Sequence, residues 1–394
     1  VAAIEGRGLG RTFLRLGSTS FGGPVAHLGF FRAEVVDRRR WLSEAQYADL
    51  VALGQFLPGP ASSQVGIGIG LLRGGLPGSL RAWLGFTVPS AALMIAAGMA
   101  VGGGVALPEG MLAGLKVSAV AVVAHAVLMM ARSLARGWLR ALLAVGTGIA
   151  VLALPTVWMP SLALVLCGLI GILVIRDTGS RDPGGVDDDV VVPILPRGVA
   201  NAALVAFAAL LVGLPALARS WPGEWATLIA GFYRAGALVF GGGHVVLPML
   251  EEVVVGSGAV SQADFVAGYG LANAVPGPLF TFAGYLGATA GGLLLGVACV
   301  VAIFLPGYLL VVGVLGHWHG LAGNQQVRRA LAGVNAAVVG LLGAALYDPV
   351  ITAGITGWRS AVLAGLALVA LVRMRAAPHL VVVACALLGW LLLS

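Results

Sequence analysis

Runs of about 18 or more apolar residues recur along this whole chain, each long enough to cross a hydrocarbon core of about 30 Å as a helix. Charged residues make up only 10% of the 394 positions, against roughly 25% in a soluble domain. Water cannot solvate a fold with that surface, so the bilayer is its solvent. Membrane barrels read as alternating segments of about ten residues, whereas these runs are continuous. The chain therefore reads as an all-α integral membrane protein.

The formal net charge of +7 sits on arginines at the ends of apolar runs, not on a basic face interleaved with aromatics. It sets orientation in a membrane, and no nucleic-acid partner is expected. Cys167, Cys299 and Cys385 each lie inside an apolar run without the paired spacing of a metal or redox site. They read as packing residues, and neither metal nor cofactor is expected. No cleavable leader is read ahead of the first segment, which points to a bacterial inner membrane.

The chain repeats itself. Phe13–Gly23 (FLRLGSTSFGG) aligns with Phe232–Gly242 (FYRAGALVFGG) at a shift of 219 (240 against 21). Leu53–Pro60 (LGQFLPGP) aligns with Leu271–Pro278 (LANAVPGP) at 218 (276 against 58), and Pro89 with Pro306 at 217. Motifs in one order at a near-constant shift mark a duplication. Residues 1–175 form a first repeat and 223–394 a second; 176–222 hold a hydrophilic linker with the acidic triplet Asp187, Asp188 and Asp189, then an extra apolar span, Gly198–Leu217. Each repeat offers six apolar segments, in the first about 12–36, 46–71, 78–102, 111–133, 138–154 and 157–175. One added crossing between two even-numbered halves turns the second upside down. About thirteen segments in two inverted-topology repeats are expected, with a binding site near the midplane where the repeats meet.

Arginine placement puts the N-terminus and the linker in the cytoplasm. Arg38, Arg39 and Arg40 resist this if the first two segments cross fully. They return to the cytoplasm if each of those segments is a re-entrant hairpin bent at its glycine or proline motif, the version favoured here.

Phe21-Gly22-Gly23-Pro24 and Phe240-Gly241-Gly242-Gly243 interrupt apolar segments with residues that weaken a helix. Pro58-Gly59-Pro60 and Pro276-Gly277-Pro278 are stronger breaks, since proline brings no donor and disfavours helix in the residue before it. Broken backbone at membrane depth is tolerated where protein or a watery cavity satisfies it; close packing of small residues is the plainer alternative. A helix restarting after the second proline would aim free N–H groups and its positive dipole end at the break, as an anion site requires. Gln55, Ser62, Ser63 and Gln64 in one half, with Asn273 and Thr281 in the other, supply neutral hydrogen-bonding groups there, either for a ligand or as glue between helices. Arg15 and Arg234 stand six residues before each Phe-Gly-Gly, placed to partner a dianion if buried or to reach the interface if not. His27 and His244 sit beside the glycines, able to bind an anion or carry a proton, or simply to pack. Glu34 and Glu252 follow the same motifs as proton-coupling candidates, with interfacial charge as the alternative.

These stretches resemble the chromate ion transporter family, whose long members carry two homologous domains. The matching signatures are SFGGPVAHLGFF followed by Glu34, Trp41-Leu42-Ser43-Glu44, and QFLPGPASSQVGIGIGLLRGG in the first half. VFGGGHVVLPMLEE and NAVPGPLFTFAGYLGA match in the second. The likeness spans nearly the whole chain apart from the linker, the extra span and the last two segments of each half. It implies a secondary transporter exporting chromate, with sulfate as the related dianion, driven by protons or by anion exchange. Carried over as functional residues are Phe21, Gly22, Gly23, Pro24, His27, Glu34, Trp41, Gln55, Pro58, Gly59, Pro60, Gln64 and Arg73 from the first half. From the second come Phe240, Gly241, Gly242, Glu252, Pro276, Gly277, Pro278 and Tyr285. Asn273 stands where glutamine is expected and shortens the reach of that donor.

An intramembrane enzyme is the rival from another class, but the sequence has no Gly-x-Ser-x-Gly, no His-Glu-x-x-His and no intramembrane aspartate pair. No enzymatic activity is expected. A passive anion channel with the same broken helices stays open. The expected partners are a chromate- or sulfate-like dianion and bilayer lipid, with a homodimer as the assembly to test.

Overall fold

The computed structural model describes residues 6–21, 23–104, 108–135, 137–154, 159–175, 195–220, 223–239, 246–316 and 325–393, at some of them as backbone only. The linker at 176–194 lies outside these. All regular structure among the described residues is helical.

The first repeat opens with α1 (Gly6–Thr19) and α2 (Gly23–Arg32), which runs into a π-turn over Ala33–Arg38. A capping box between Ser43 and Gln46 starts α3 (Glu44–Phe56). In α4 (Ala61–Gly102), Gly74 and Gly75 leave helical geometry, Gly75 at φ +61°, a backbone that glycine alone adopts cheaply. Then come α5 (Glu109–Leu134), α6 (Trp138–Ala153) and α7 (Met159–Val174). The extra span is α8 (Arg197–Ser220), with Val205, Val212 and Leu217 exposed as a lipid-facing helix requires.

In the second repeat, α9 (Glu224–Leu238) and α10 (Leu247–Val254) precede α11 (Gln262–Ala274), which has Ser261 as its N-cap. A 3-10 turn over Leu279–Thr281 leads into α12 (Phe282–Leu315), broken at Gly291 and Gly292, the latter at φ +79°. The repeat ends with α13 (Gln325–Ala345), α14 (Trp358–Val372) and α15 (Pro378–Leu392).

Helix length decides what can cross. With 14, 10 and 13 residues, α1, α2 and α3 reach only about 15–21 Å at 1.5 Å per residue. Contacts fold these short helices into antiparallel pairs. The Phe13 and Phe31 rings meet edge-on at 5.5 Å and Arg15 reaches Glu34, so the chain folds back after α1, which itself packs mainly on α4. Gly54 lies beside Ala61 and Val65, and Gly68 beside Leu50, closing α3 on the first arm of α4 around Pro58-Gly59-Pro60. Gly70 then lies against Gly78, Ser79 and Ala82, so the two arms of α4 run antiparallel as well.

The second repeat does the same. Arg234–Glu252 and Gly231–Val253 pair α9 with α10, Gly268 against Tyr285 pairs α11 with the start of α12, and Gly287 against Leu295 and Cys299 folds α12 on itself. The first two segments of each repeat are therefore helical hairpins.

Among the described residues, five stretches are long and apolar enough to cross a membrane: Ala61–Gly102, Glu109–Arg132, Arg197–Ser220, Leu279–Leu315 and Ala332–Gly354. In the first and fourth, only the arm after the glycine pair is a straight crossing length, about 35–40 Å. Those two long arms run antiparallel, with Ser79 Oγ 2.7 Å from Tyr308 Oη and the Trp83 ring 5.9 Å from Phe304.

Around them the repeats interlock, α15 packing on α5 and α7 on α13. Gly114 sits against the Cys385 carbonyl and Gly389 against Gly110 and Gly114. The repeat-related Gly333 and Gly171 sit against the carbonyls of Cys167 and Arg329. Small residues let helix backbones approach where no hydrophobic force drives association. Cys167, Cys299 and Cys385 are free and buried, as packing residues. Gly114→Leu or Gly333→Leu would press a side chain into a backbone carbonyl that cannot swing away. Either is expected to remove most of the monodisperse protein seen by size exclusion. Gly365→Leu, where nothing lies within 4 Å, is expected to leave it unchanged.

Candidate functional site

Two backbone hydrogen bonds join the tips of the hairpins. The Gly59 N–H donates to the Val239 carbonyl at 2.7 Å, and the Gly277 N–H to the Ser20 carbonyl at 2.9 Å. Val239 and Ser20 are repeat-related and each directly precedes a Phe-Gly-Gly motif. Each Pro-Gly-Pro tip thus binds the glycine-motif tip of the other repeat, reciprocally. Gly59 (φ +126°) and Gly277 (φ +98°) hold left-handed backbone and have no room for a Cβ. The first packs against the Gln64 amide and Gly307, the second against Ser90 Oγ and the Gly17 carbonyl. Ser90 and Gly307 follow Pro89 and Pro306 in the long arms of α4 and α12, which therefore pass directly behind the tips.

No side chain caps the helix starts after Pro60 and Pro278. The first turns close with Gln64 N–H to the Pro60 carbonyl at 2.9 Å and Thr281 N–H to the Pro278 carbonyl at 3.0 Å. The N–H groups ahead of those bonds, on Ala61, Ser62 and Ser63 and on Leu279 and Phe280, are the ones a helix start offers to an anion.

Several predicted side chains gather here. His27 is buried, its Nδ1 3.3 Å from Ser62 Oγ and its ring edge-on to Phe86 at 5.3 Å. The Phe21 ring lies 4.2 Å from that of His379, at the start of α15. Gln64 donates to the Pro58 carbonyl at 2.7 Å, Asn273 to Tyr269 at 2.8 Å and Thr281 to Pro278 at 2.9 Å. Those three donors brace the chain at the breaks instead of pointing free donors into a site. Gly22, Phe240, Gly241, Gly242 and His244 lie outside the described residues, as do the side chains of Pro24 and Gln55.

The arginines are not brought to the tips. Arg15 and Arg234 each bridge across their hairpin, to Glu34 at 3.4 Å and to Glu252 at 3.2 Å, and the two acids are themselves repeat-related. Each arginine stands four residues before the end of its helix, at Thr19 and at Leu238, about 6 Å along the axis. Arg73 stands at the outer end of its arm beside Gly74, about 20 Å from Pro60. Glu34 is buried among Arg39 at 2.6 Å, Arg38 at 3.1 Å and Arg15, and Arg39 also lies over the Trp41 ring at 4.9 Å. Glu252 has Arg234 beside it, while Gln262 donates to its neighbour Glu251 at 3.0 Å.

Sequence reasoning passed over Ser20, Thr87 and Ser90, which the fold places at the tips. One signal was present: Ser20 and Thr87 are polar where the other repeat has Val239 and Phe304.

A family model described as chromate transporter matches residues 8–172 and 226–390, two regions offset by 218 positions (226 against 8). The match includes the last two segments of each half, which the motif-based resemblance had left out. The chain is 29% identical to a chromate transport protein of Pseudomonas aeruginosa, over 96% of this chain and 90% of that one. It is 26% identical to a probable chromate transport protein of Synechococcus elongatus, over 85% and 82% of the two. With a chromate transport protein of Cupriavidus metallidurans it shares 28% identity, over 84% and 79%. No solved structure matches.

Proposed function

This chain belongs to the chromate transporter family, and on that premise we propose that it is a secondary active transporter exporting chromate, or a tetrahedral dianion such as sulfate, with the ligand held where the hairpin tips meet. The reciprocal exchange of Gly59 with Val239 and of Gly277 with Ser20 carries this reading. It gathers broken backbone from both repeats at one place, the arrangement in which unwound segments line a transporter site. The antiparallel run of the two equivalent long arms supports repeats of inverted topology. Residues 1–175 and 223–394 are the two halves in this reading, and 176–222 the connector. One chain supplies all the tips, so no homodimer is required.

Charge favours loading from the cytoplasmic side, while the driving gradient sets the net direction. Residues 6–56, the two hairpins of the first repeat, carry seven arginines and four acids, whereas the equivalent residues 224–274 carry one arginine and four acids. With the repeats inverted in a bacterial inner membrane, and with the N-terminus and linker in the cytoplasm, the cytoplasmic mouth is positive and the outer one negative. A field of that shape concentrates anions at the inner mouth and repels them at the outer. Glu252, held by fewer charges than Glu34, is the better placed of the two to take up a proton.

Chromate uptake into proteoliposomes tests this, with and without an imposed pH gradient and with sulfate on the opposite side. Gradient-driven or sulfate-exchanged flux is expected. A leak indifferent to both would mean a passive channel, and no flux from folded protein would overturn the substrate.

A further inference from the structure

The tips are bonded reciprocally, yet they are not chemically alike. Buried in the first repeat, Ser20 Oγ, His27 Nε2, Ser63 Oγ, Gln64 Oε1 and Thr87 Oγ1 have no hydrogen-bond partner of good geometry, although the His27 ring also faces the Ser20 backbone; in the second repeat His379 Nδ1 and Arg329 Nε are likewise unpartnered. Buried polar atoms are almost always paired, and one left unmade costs about 1–3 kcal/mol, so a cluster of them points to a guest.

The tip geometry gathers the first four, and Thr87 stands about one turn further back on the α4 arm, where it also lines the apolar cavity between the long arms with Trp83, Val88, Val297 and Val300. His27 faces Ser62 from the neighbouring hairpin and packs on Phe86, next to Thr87. Ser20 holds Gly277, Gly277 rests on Ser90, and the Ser90 hydroxyl donates to the Thr87 carbonyl at 3.1 Å. Ser63 and Gln64 lie in the uncapped first turn after Pro60.

The repeat-related positions in the second half are apolar or already satisfied. Val239 stands for Ser20, Val246 for His27, Phe280 for Ser62, Phe282 for Gln64 and Phe304 for Thr87. All are buried, and the Phe280 and Phe304 rings pack at 5.9 Å. Thr281, the counterpart of Ser63, has its hydroxyl bonded to Pro278.

We infer that the oxyanion is bound mainly by the first repeat, with Ser20, Ser63 and Thr87 as ligand-binding residues beside His27, and that the second repeat adds His379, stacked on Phe21 with its Nδ1 unpartnered, and otherwise presents an apolar wall. The inference rests on the transport reading above and deepens it. Hydroxyl and imidazole donors together with helix-start N–H groups hold a tetrahedral oxyanion by hydrogen bonds, with no arginine at the ligand. The phenylalanine wall can slide across it without having to break bonds to the ligand.

Thermal melting of purified protein with and without chromate or sulfate tests it, on Ser20→Ala, Ser63→Ala, Thr87→Val and the triple variant. Thr147→Val, away from the tips, is the control. Removing an unpaired buried hydroxyl is expected to leave the ligand-free melting temperature unchanged or raised. The ligand-induced rise should shrink in each single variant and vanish in the triple, with KM for uptake up at least tenfold. A variant needed only for packing would lose stability without ligand instead. A full ligand-induced rise in the triple variant would overturn the inference while leaving the transport reading intact. A wild-type chain with neither ligand-induced rise nor uptake would overturn that reading and this inference together. Should the triple variant fold poorly, Ser63→Ala alone decides by the same criterion.

Discussion

Leucine at Gly277 is expected to cut chromate uptake to less than about a hundredth of the wild-type rate, measured per molecule of monodisperse protein in liposomes. At φ +98° any side chain strains the backbone, by about 1–2 kcal/mol. A Cβ there would lie 2.7 Å from Ser90 Oγ and 3.2 Å from the Gly17 carbonyl, and overpacking typically adds about 1–3 kcal/mol. The displaced tip would also give up its bond to Ser20, one of the two backbone hydrogen bonds that join the hairpin tips. Gly59→Ala is expected to be milder. Its Cβ would meet the end of the Gln64 side chain, 2.8 Å away, which can swing aside at the cost of its bond to Pro58. Wild-type uptake by Gly277→Leu would show that the tips do not form the ligand site.

Of substitutions at the two bridging acids, Glu34→Ala should have the larger effect on stability. It removes the one acid among Arg15, Arg38 and Arg39, leaving their like charges facing one another around a buried void. The arginines are exposed and only the carboxylate is buried, so the expected loss is about 1–2 kcal/mol, between that of an exposed pair and that of a buried one. Glu252→Gln leaves only Arg234, in a pair that is about a quarter exposed on both sides. Its cost in stability should stay below about 1 kcal/mol, while the dependence of flux on the pH gradient should weaken. Melting curves and gradient-driven uptake for the two variants separate a structural carboxylate from a proton carrier. A gradient response lost in Glu34→Gln but kept in Glu252→Gln would reverse the assignment.

The hairpin breaks were legible because proline and glycine act on their own backbone, whatever surrounds them. Pro58, Pro60, Pro276 and Pro278 stop helices by lacking a donor, and the arginine triplet at 38–40 asked for a return to the starting side. The roles of Arg15 and Arg234 were less legible, because spacing along one helix does not say what stands across the hairpin. Their partners Glu34 and Glu252, themselves 218 positions apart, become visible only when the hairpin folds. Ser20 and Thr87 are not marked by the motifs, which show where the repeats agree, and these two matter through difference. In the last two segments of each half, Cys167 and Gly171 recur as Cys385 and Gly389 at that same shift. So sparse a pattern gains meaning only once both pairs are seen against the backbone of the facing repeat.

The proposal that the two repeats enter the membrane from opposite sides and meet tip to tip is tested most directly by sidedness. In a chain lacking Cys167, Cys299 and Cys385, single cysteines would replace Arg40 and Ser257, which are exposed at the outer ends of equivalent hairpins. An impermeant maleimide should label Arg40→Cys only from the cytoplasmic side and Ser257→Cys only from the other. Labelling of both from the same side would contradict the inverted arrangement and the shared site that depends on it.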